Sequence, residues 1–203
     1  KALLMESTRL HLLRHGQVEG FEEKRYNGQA DVALTDLGRE QYRRLQRLLE
    51  NRPLSAIFSS DLARCVWGAE LISRAHGLIP EQNPRLRELN IGEWEGKTWQ
   101  QLMDEYPEEW QARLNDLLYY QVRGGESLSQ MAERVRTALT EILQQHPGEE
   151  IVLVGHGGTN RVILLDAIGA PLTRMFHVEQ DYGCYNMIDY YPDGIAVVKK
   201  LNG

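Results

Sequence analysis

Cysteine is nearly missing from this chain of 203 residues: only Cys65 and Cys184 occur. Two thiols are too few for a disulfide scaffold and lack metal-ligand spacing, so both are expected to be reduced and buried. No apolar run approaches the ~20 residues that a membrane span requires, so no membrane partner is expected. Lys1–Met5 is too short and too weakly apolar to be a secretory signal. Met5 is read as the natural start, after an added Lys1–Leu4, and a cytoplasmic protein is expected. An excess of basic charge is also lacking. At a net charge of -6, the chain does not carry the surface of a general nucleic-acid binder. The cations it does have are mostly Arg, the side chain suited to forked contact with phosphate oxygens. Arg43-Arg44 and Arg134/Arg136 are expected on solvated helix faces.

What is present is concentrated at two places nearly a chain length apart. Arg9-Leu10-His11-Leu12-Leu13 runs into Arg14-His15-Gly16, and Ile151-Val152-Leu153-Val154 runs into Gly155-His156-Gly157-Gly158. A buried strand ending in a Gly-flanked polar residue is where open α/β sheets put their chemistry. Two histidines brought to one rim, with arginines near, suggest a pocket that holds and attacks a phosphate.

The elements between them alternate. A strand is expected at 9–14, then a polar loop to about Leu34. A helix capped by Thr35 runs to Asn51, with Leu37, Leu45, Leu48 and Leu49 on its buried side. Ser55–Phe58 reads as a strand, Ser59-Ser60-Asp61 as the cap of a helix over 61–75, and Arg85–Leu89 as a third strand ending at Glu88. Residues 98–120 form an aromatic, helical excursion that Gly124-Gly125 breaks. Leu128, Met131, Val135, Leu139, Ile142 and Leu143 keep helical spacing over 127–145. A strand at 151–154, a helix opening near Gly158-Thr159-Asn160 and a short helix from Pro171 follow. The last two strands, Tyr185–Tyr191 and Ile195–Leu201, flank the turn signal Pro192-Asp193-Gly194. The expected fold class is α/β: residues 1–203 form a single-domain, three-layer sandwich. Its sheet is mostly parallel, with helices on both faces and a C-terminal antiparallel hairpin.

Taken singly, each candidate also has a plain structural reading. His15 could cap a strand through its ring, the glycines beside His156 could serve only a tight turn, and Arg64 could be a surface arginine. Glu93 and Glu95 read as loop charges or capping partners. Rival chemistries fail on spacing. Gly92–Thr98 is one residue short of a P-loop. The positions six beyond each cysteine hold Leu71 and Tyr190 rather than the arginine of a cysteine phosphatase. No Gly-x-Ser-x-Gly elbow occurs. A zinc site from His15, His156 and Glu88 is opposed by the flanking arginines, because cations repel a metal.

Together the motifs resemble the histidine phosphatase superfamily, which includes the cofactor-dependent phosphoglycerate mutases. Leu13-Arg14-His15-Gly16, the segment from Arg25-Tyr26-Asn27-Gly28 through Leu34-Thr35-Asp36-Leu37-Gly38, Ser59-Ser60-Asp61-Leu62-Ala63-Arg64, Leu86-Arg87-Glu88 with Gly92-x-Trp94-Glu95-Gly96, Gly125-Glu126-Ser127 and Val154-Gly155-His156-Gly157 follow in the expected order. The resemblance implies a phosphoric monoester hydrolase needing neither metal nor cofactor. In it His15 is the nucleophile, Arg14, Arg64, His156 and the Gly157 amide clamp the phosphoryl oxygens, and Glu88 donates a proton to the leaving oxygen. The second ring nitrogen of His15 needs a partner, expected to be the Gly16 carbonyl. Val18 and Phe21 stand where many relatives have polar residues, so Asn27 or Gln17 is expected to supply the lost contact to substrate. The short insertion favours hydrolysis over mutase transfer, and residues 94–125 are expected to cover the pocket. The tail from Arg174 to Asp189 is similar to the α-ribazole-5'-phosphate phosphatase branch of cobalamin synthesis. Alternatives are a sugar- or glycerate-phosphate phosphatase, a phosphoglycerate mutase and a non-catalytic phospho-ligand binder. The expected partner is a small-molecule phosphate ester; a homodimer is left open.

Overall fold

The computed structural model describes residues 6–203, so the reading of Lys1–Met5 falls outside it. Six strands form one sheet in the order β3-β2-β4-β1-β5-β6. Its centre is β1 (Thr8–Arg14) beside β4 (Glu150–Gly155), paired in parallel from Arg9↔Glu150 to Arg14↔Gly155. β2 (Leu54–Ser59) lies parallel to β4 on the other side and carries the short β3 (Glu81–Gln82). β5 (Tyr185–Tyr190) runs antiparallel to β1, and β6 (Ala196–Lys200) completes the expected hairpin.

Alternation along the strands explains the two cores. Leu10, Leu12, Ile151, Leu153 and Phe58 face one side, against α5 (Leu128–Gln145) and α6 (Gly157–Ala167). Leu13, Val152, Val154 and Ile57 face the other, against α1 (Asp36–Leu49) and α2 (Ala63–His76). Each fully buried aliphatic side chain stabilises the fold by roughly 1.5–3 kcal/mol. The exposed pairs on α1, Arg39–Asp36 and Arg43–Glu40, are screened by solvent and add little beside this. The sheet's two apolar faces therefore decide the architecture, an α/β fold of one domain. No helix among the described residues is long and apolar enough to cross a membrane.

Several local expectations need correction. Thr35 does cap α1, accepting from the Gly38 amide, but Leu37 and Leu48 are exposed. The buried stripe is Gly38, Tyr42, Leu45 and Leu49, and the Tyr42 ring fills the space that a side chain at Gly68 would need. α2 starts at Ala63 with no side-chain cap from its own flank; Asp31, from a distant loop, accepts from the Ala63 amide. Asp61 instead pairs with Arg87. Arg85–Leu89 is not a strand. Pro84 opens a single 3-10 turn over Pro84–Leu86, and the strand that pairs with β2 lies earlier, at Glu81–Gln82. The aromatic excursion splits at Pro107 into α3 (Trp99–Glu105) and α4 (Pro107–Asn115). Cys65 and Cys184 are free and buried.

Candidate active site

Where β1 and β4 end side by side, their next residues meet. The His15 amide donates to the Gly155 carbonyl at 3.1 Å, and the rings of His15 and His156 stand edge to face with centroids 5.2 Å apart. His15 is buried, and its Nδ1 lies 2.8 Å from the Gly16 carbonyl oxygen. A carbonyl can only accept, so Nδ1 carries the proton and Nε2 keeps its lone pair. Burial, then the nearby charges of Arg14 and Arg64, hold the His15 pKa well below its ordinary value. The ring is therefore neutral, as a nucleophile must be.

His156 is fully buried and shares a 2.7 Å hydrogen bond with Ser60 Oγ through Nε2, with the Cys65 thiol 3.4 Å away. Its pKa is also held far down, first by burial and then by Arg64, His15 and Arg14. Burial pushes the Cys65 thiol up to about 12, which leaves it an unreactive neighbour.

Two arginines border the histidines. Arg14 is braced by the Gln180 carbonyl and by the Tyr182 ring, whose centroid is 4.1 Å from the guanidinium carbon. Its buried Nε has no partner among the described residues, an open donor beside His15. Arg64, at the start of α2, is 2% exposed and is anchored on the carbonyls of Ala30 and Gly28. α6 begins at Gly157, so its free amides add a further positive end. Glu88 reaches across: its two carboxyl oxygens accept from the Leu89 and Gly158 amides, each at 2.9 Å.

A cavity of about 220 Å3 opens between these groups. Arg14, His15, Arg64, Glu88, Asn27 and Gly157 line it, while His156 stands behind His15. Gln17 does not line it. The Gln17 side-chain oxygen accepts from Thr35 and its amide donates to Gln41, which ties the first loop to α1. No cluster of three or more metal-ligating side chains occurs among the described residues, so His15, His156 and Glu88 do not form a metal cage.

The far wall is apolar and aromatic. Tyr26, Leu89, Ile91 and Trp99 line it, and Trp94 and Trp110 pack behind Tyr26 with ring centroids 6.1–6.4 Å apart. Three lining arginines, Arg25, Arg113 and Arg161, escaped sequence reasoning as site residues. Arg161, five residues beyond His156, donates to the Val178 carbonyl, and burial followed by Arg14 lowers its pKa. Arg113 is 8% exposed, donates to the Tyr26 hydroxyl at 2.8 Å and lies over that ring, with no carboxylate paired to it among the described residues. Nothing in the sequence marks Arg113, because its helix turn reads as solvated.

The comparisons agree with this geometry. Residues 10–202 match the histidine phosphatase superfamily (branch 1). The chain is 30% identical to adenosylcobalamin/alpha-ribazole phosphatase of Escherichia coli (strain K12) over 89% of each chain. It is 29% identical to phosphoserine phosphatase 1 of Hydrogenobacter thermophilus, over 96% of this chain and 92% of that one. The crystal structure of the alpha-ribazole phosphatase from Shigella flexneri superposes with a TM-score of 0.89 at 30% identity, covering 97% of this chain and 96% of that chain. This chain belongs to the histidine phosphatase superfamily. By class it is an enzyme of phosphoric monoesters.

Proposed function

We propose that the chain hydrolyses a small-molecule phosphomonoester through a phosphohistidine at His15, without a metal. The observation that carries this reading is the His15 ring itself: neutral, its Nδ1 fixed on Gly16, and bordered by Arg14 and Arg64. In the first step Nε2 attacks phosphorus as the bond to the leaving oxygen breaks, and Glu88 gives that oxygen a proton. In the second, Glu88 takes a proton from water, the hydroxide attacks phosphorus, and orthophosphate leaves with Nε2 restored. Arg14, Arg64 and the Gly157 amide, which line the cavity, hold the phosphoryl oxygens, as electrostatic positioning requires in phosphoryl transfer, while His156 packs edge to face against the His15 ring.

For the leaving group, α-ribazole 5'-phosphate is the first candidate. It is supported by the named relatives and by walls of Tyr26, Leu89, Ile91 and Trp99 that suit a flat apolar moiety. A second reading, a sugar or glycerate phosphate, is favoured in its acid-bearing form by Arg113, which has no carboxylate paired to it among the described residues. Residues 94–125 cover the pocket in either case.

The test is turnover in EDTA of α-ribazole 5'-phosphate, 3-phosphoglycerate and an aryl phosphate, beside His15→Ala. Phosphate release that survives EDTA and falls by at least ~10³-fold in the variant is expected. Metal-dependent release, or a fully active variant, would overturn the reading; the best substrate chooses the leaving group.

A further inference from the structure

Glu88 stands on a stretch of chain that has no sheet to hold it. Arg85–Leu89 was expected to be a strand, whose carbonyls a neighbour would satisfy. Instead Pro84–Leu86 makes one 3-10 turn and the chain runs on without a strand partner, so its carbonyls need other donors. Thr159 donates to the carbonyls of Leu86 and Arg87 and Gln29 to that of Glu88, but the donor that spans the stretch is Arg134 of α5, a residue expected on a solvated helix face. Its guanidinium donates to the carbonyls of Arg85 and Arg87 at 2.8 Å and of Glu88 at 3.0 Å. The remaining donors go to the Glu126 carboxylate. All five N–H groups of the guanidinium are thereby used. Glu126 completes the hold by accepting from the Asn90 amide at 3.0 Å. The backbone of residue 88 is thus bracketed on both sides by one ion pair, whose members are 20% and 18% exposed at the side chain.

We infer that Arg134, oriented by Glu126, is a positioning residue for the proton donor: it fixes where the Glu88 carboxyl meets the leaving oxygen. The inference rests on the reading of Glu88 as that donor. A bracket of this kind matters because transfer requires hydrogen-bond reach, and an error of about 1 Å can cost ~10²-fold. Lys can replace it only in part, having three donors and no planar fork. Arg134 is not among the residues that line the cavity.

The readout is dependence on the leaving group. A poor leaving group, such as an alkyl alcohol, needs the proton; p-nitrophenolate leaves without it. The kcat/KM value reports phosphohistidine formation only, so the ratio of kcat/KM for p-nitrophenyl phosphate to that for an alkyl phosphate isolates the donor. Both substrates are measured on one sample, so partial unfolding of a variant cancels in the ratio. Glu88→Gln, Arg134→Met, Arg134→Lys and Glu126→Gln are compared with the parent protein. The expected result is a rise of ~10²-fold in this ratio for Glu88→Gln, and of at least ~10-fold for Arg134→Met. Smaller rises are expected for Arg134→Lys and Glu126→Gln. A rise in Glu88→Gln with an unchanged ratio in Arg134→Met overturns the inference and leaves the donor in place. An unchanged ratio in Glu88→Gln overturns the donor assignment, and the inference with it.

Discussion

The two ends of the cavity are built differently. The phosphate end is made from strand termini and helix starts. Arg14 and His15 leave β1, His156 leaves β4, Arg64 opens α2 and Gly157 opens α6. Each is located by a sheet ladder or a helix that would exist without any ligand. The leaving-group end is made from loops and short helices, Tyr26 and Asn27 on one side and Ile91, Trp99 and Arg113 on the other. On the proposed function, the regular end is to meet the part common to all phosphomonoesters, and the irregular end the part that differs between them. Chemistry and selectivity are therefore expected to respond to separate substitutions.

The largest break in that comparison should come from Arg64→Met. It removes a buried cation and leaves the carbonyls of Ala30 and Gly28 without their donor. A fall in kcat/KM of ~10²–10³-fold is expected on alkyl and aryl esters alike, measured by steady-state kinetics. A loss confined to one leaving group would place Arg64 at the other end. Trp99→Ala should do the opposite. It leaves the histidines untouched and changes the ratio of kcat/KM between bulky and small esters by ~10-fold, as loss of an apolar pocket wall implies. Equal loss on every ester would show that the aromatic end shapes the catalytic groups too.

The smallest effect is on stability. His15, His156 and His11 are all held below the ordinary 6.5 by burial. The unfolded chain therefore binds more protons than the folded one below pH 6.5. Stability is complete above that pH and is lost as pH falls toward the folded values. A Tm lower by several degrees at pH 5 than at pH 7.5 is expected in a thermal scan. Paired carboxylates such as Asp61 and Asp189 are held below the ordinary 3.8 by Arg87 and Arg9, so they stay charged between pH 5 and 7.5 and do not confuse this window. A flat Tm would mean that the phosphate end is wet.

The same division governs what the sequence discloses. The regular end is legible because apolar alternation and Gly-flanked polar residues report strands and their exits directly. β1, β4 and the Ser127-capped α5 fall where expected. The irregular end is not. Arg85-Leu86-Arg87-Glu88-Leu89 alternates like a strand, yet its hydrogen bonds go to Arg134 and Thr159, side chains no local pattern connects to it. Arg113 and Arg134 look like any helix-face arginine until neighbouring elements close over them. Gln17, polar and beside the signature, lies outside the cavity wall, its side chain on Thr35 at the α1 cap and its backbone amide on Gln41. Leu37 and Leu48 fail because one helical step turns them away from the stripe of Tyr42, Leu45 and Leu49.

The placement of β4 has a consequence for how the chain becomes active. β4 sits between β2 and β1, and it pairs with residues 96 positions earlier (Leu54↔Glu150) and 141 positions earlier (Arg9↔Glu150). Contacts this remote in sequence are slow to form, since a long loop must close before they contribute. A chain emerging from the ribosome with β1, β2 and their helices complete still has an open slot at the centre of its sheet, with neither His156 nor the start of α6. It has no partial activity to lose, and any truncation before β4 should be inert and exposed along two strand edges. Maturation of the enzyme and closure of its sheet are one event.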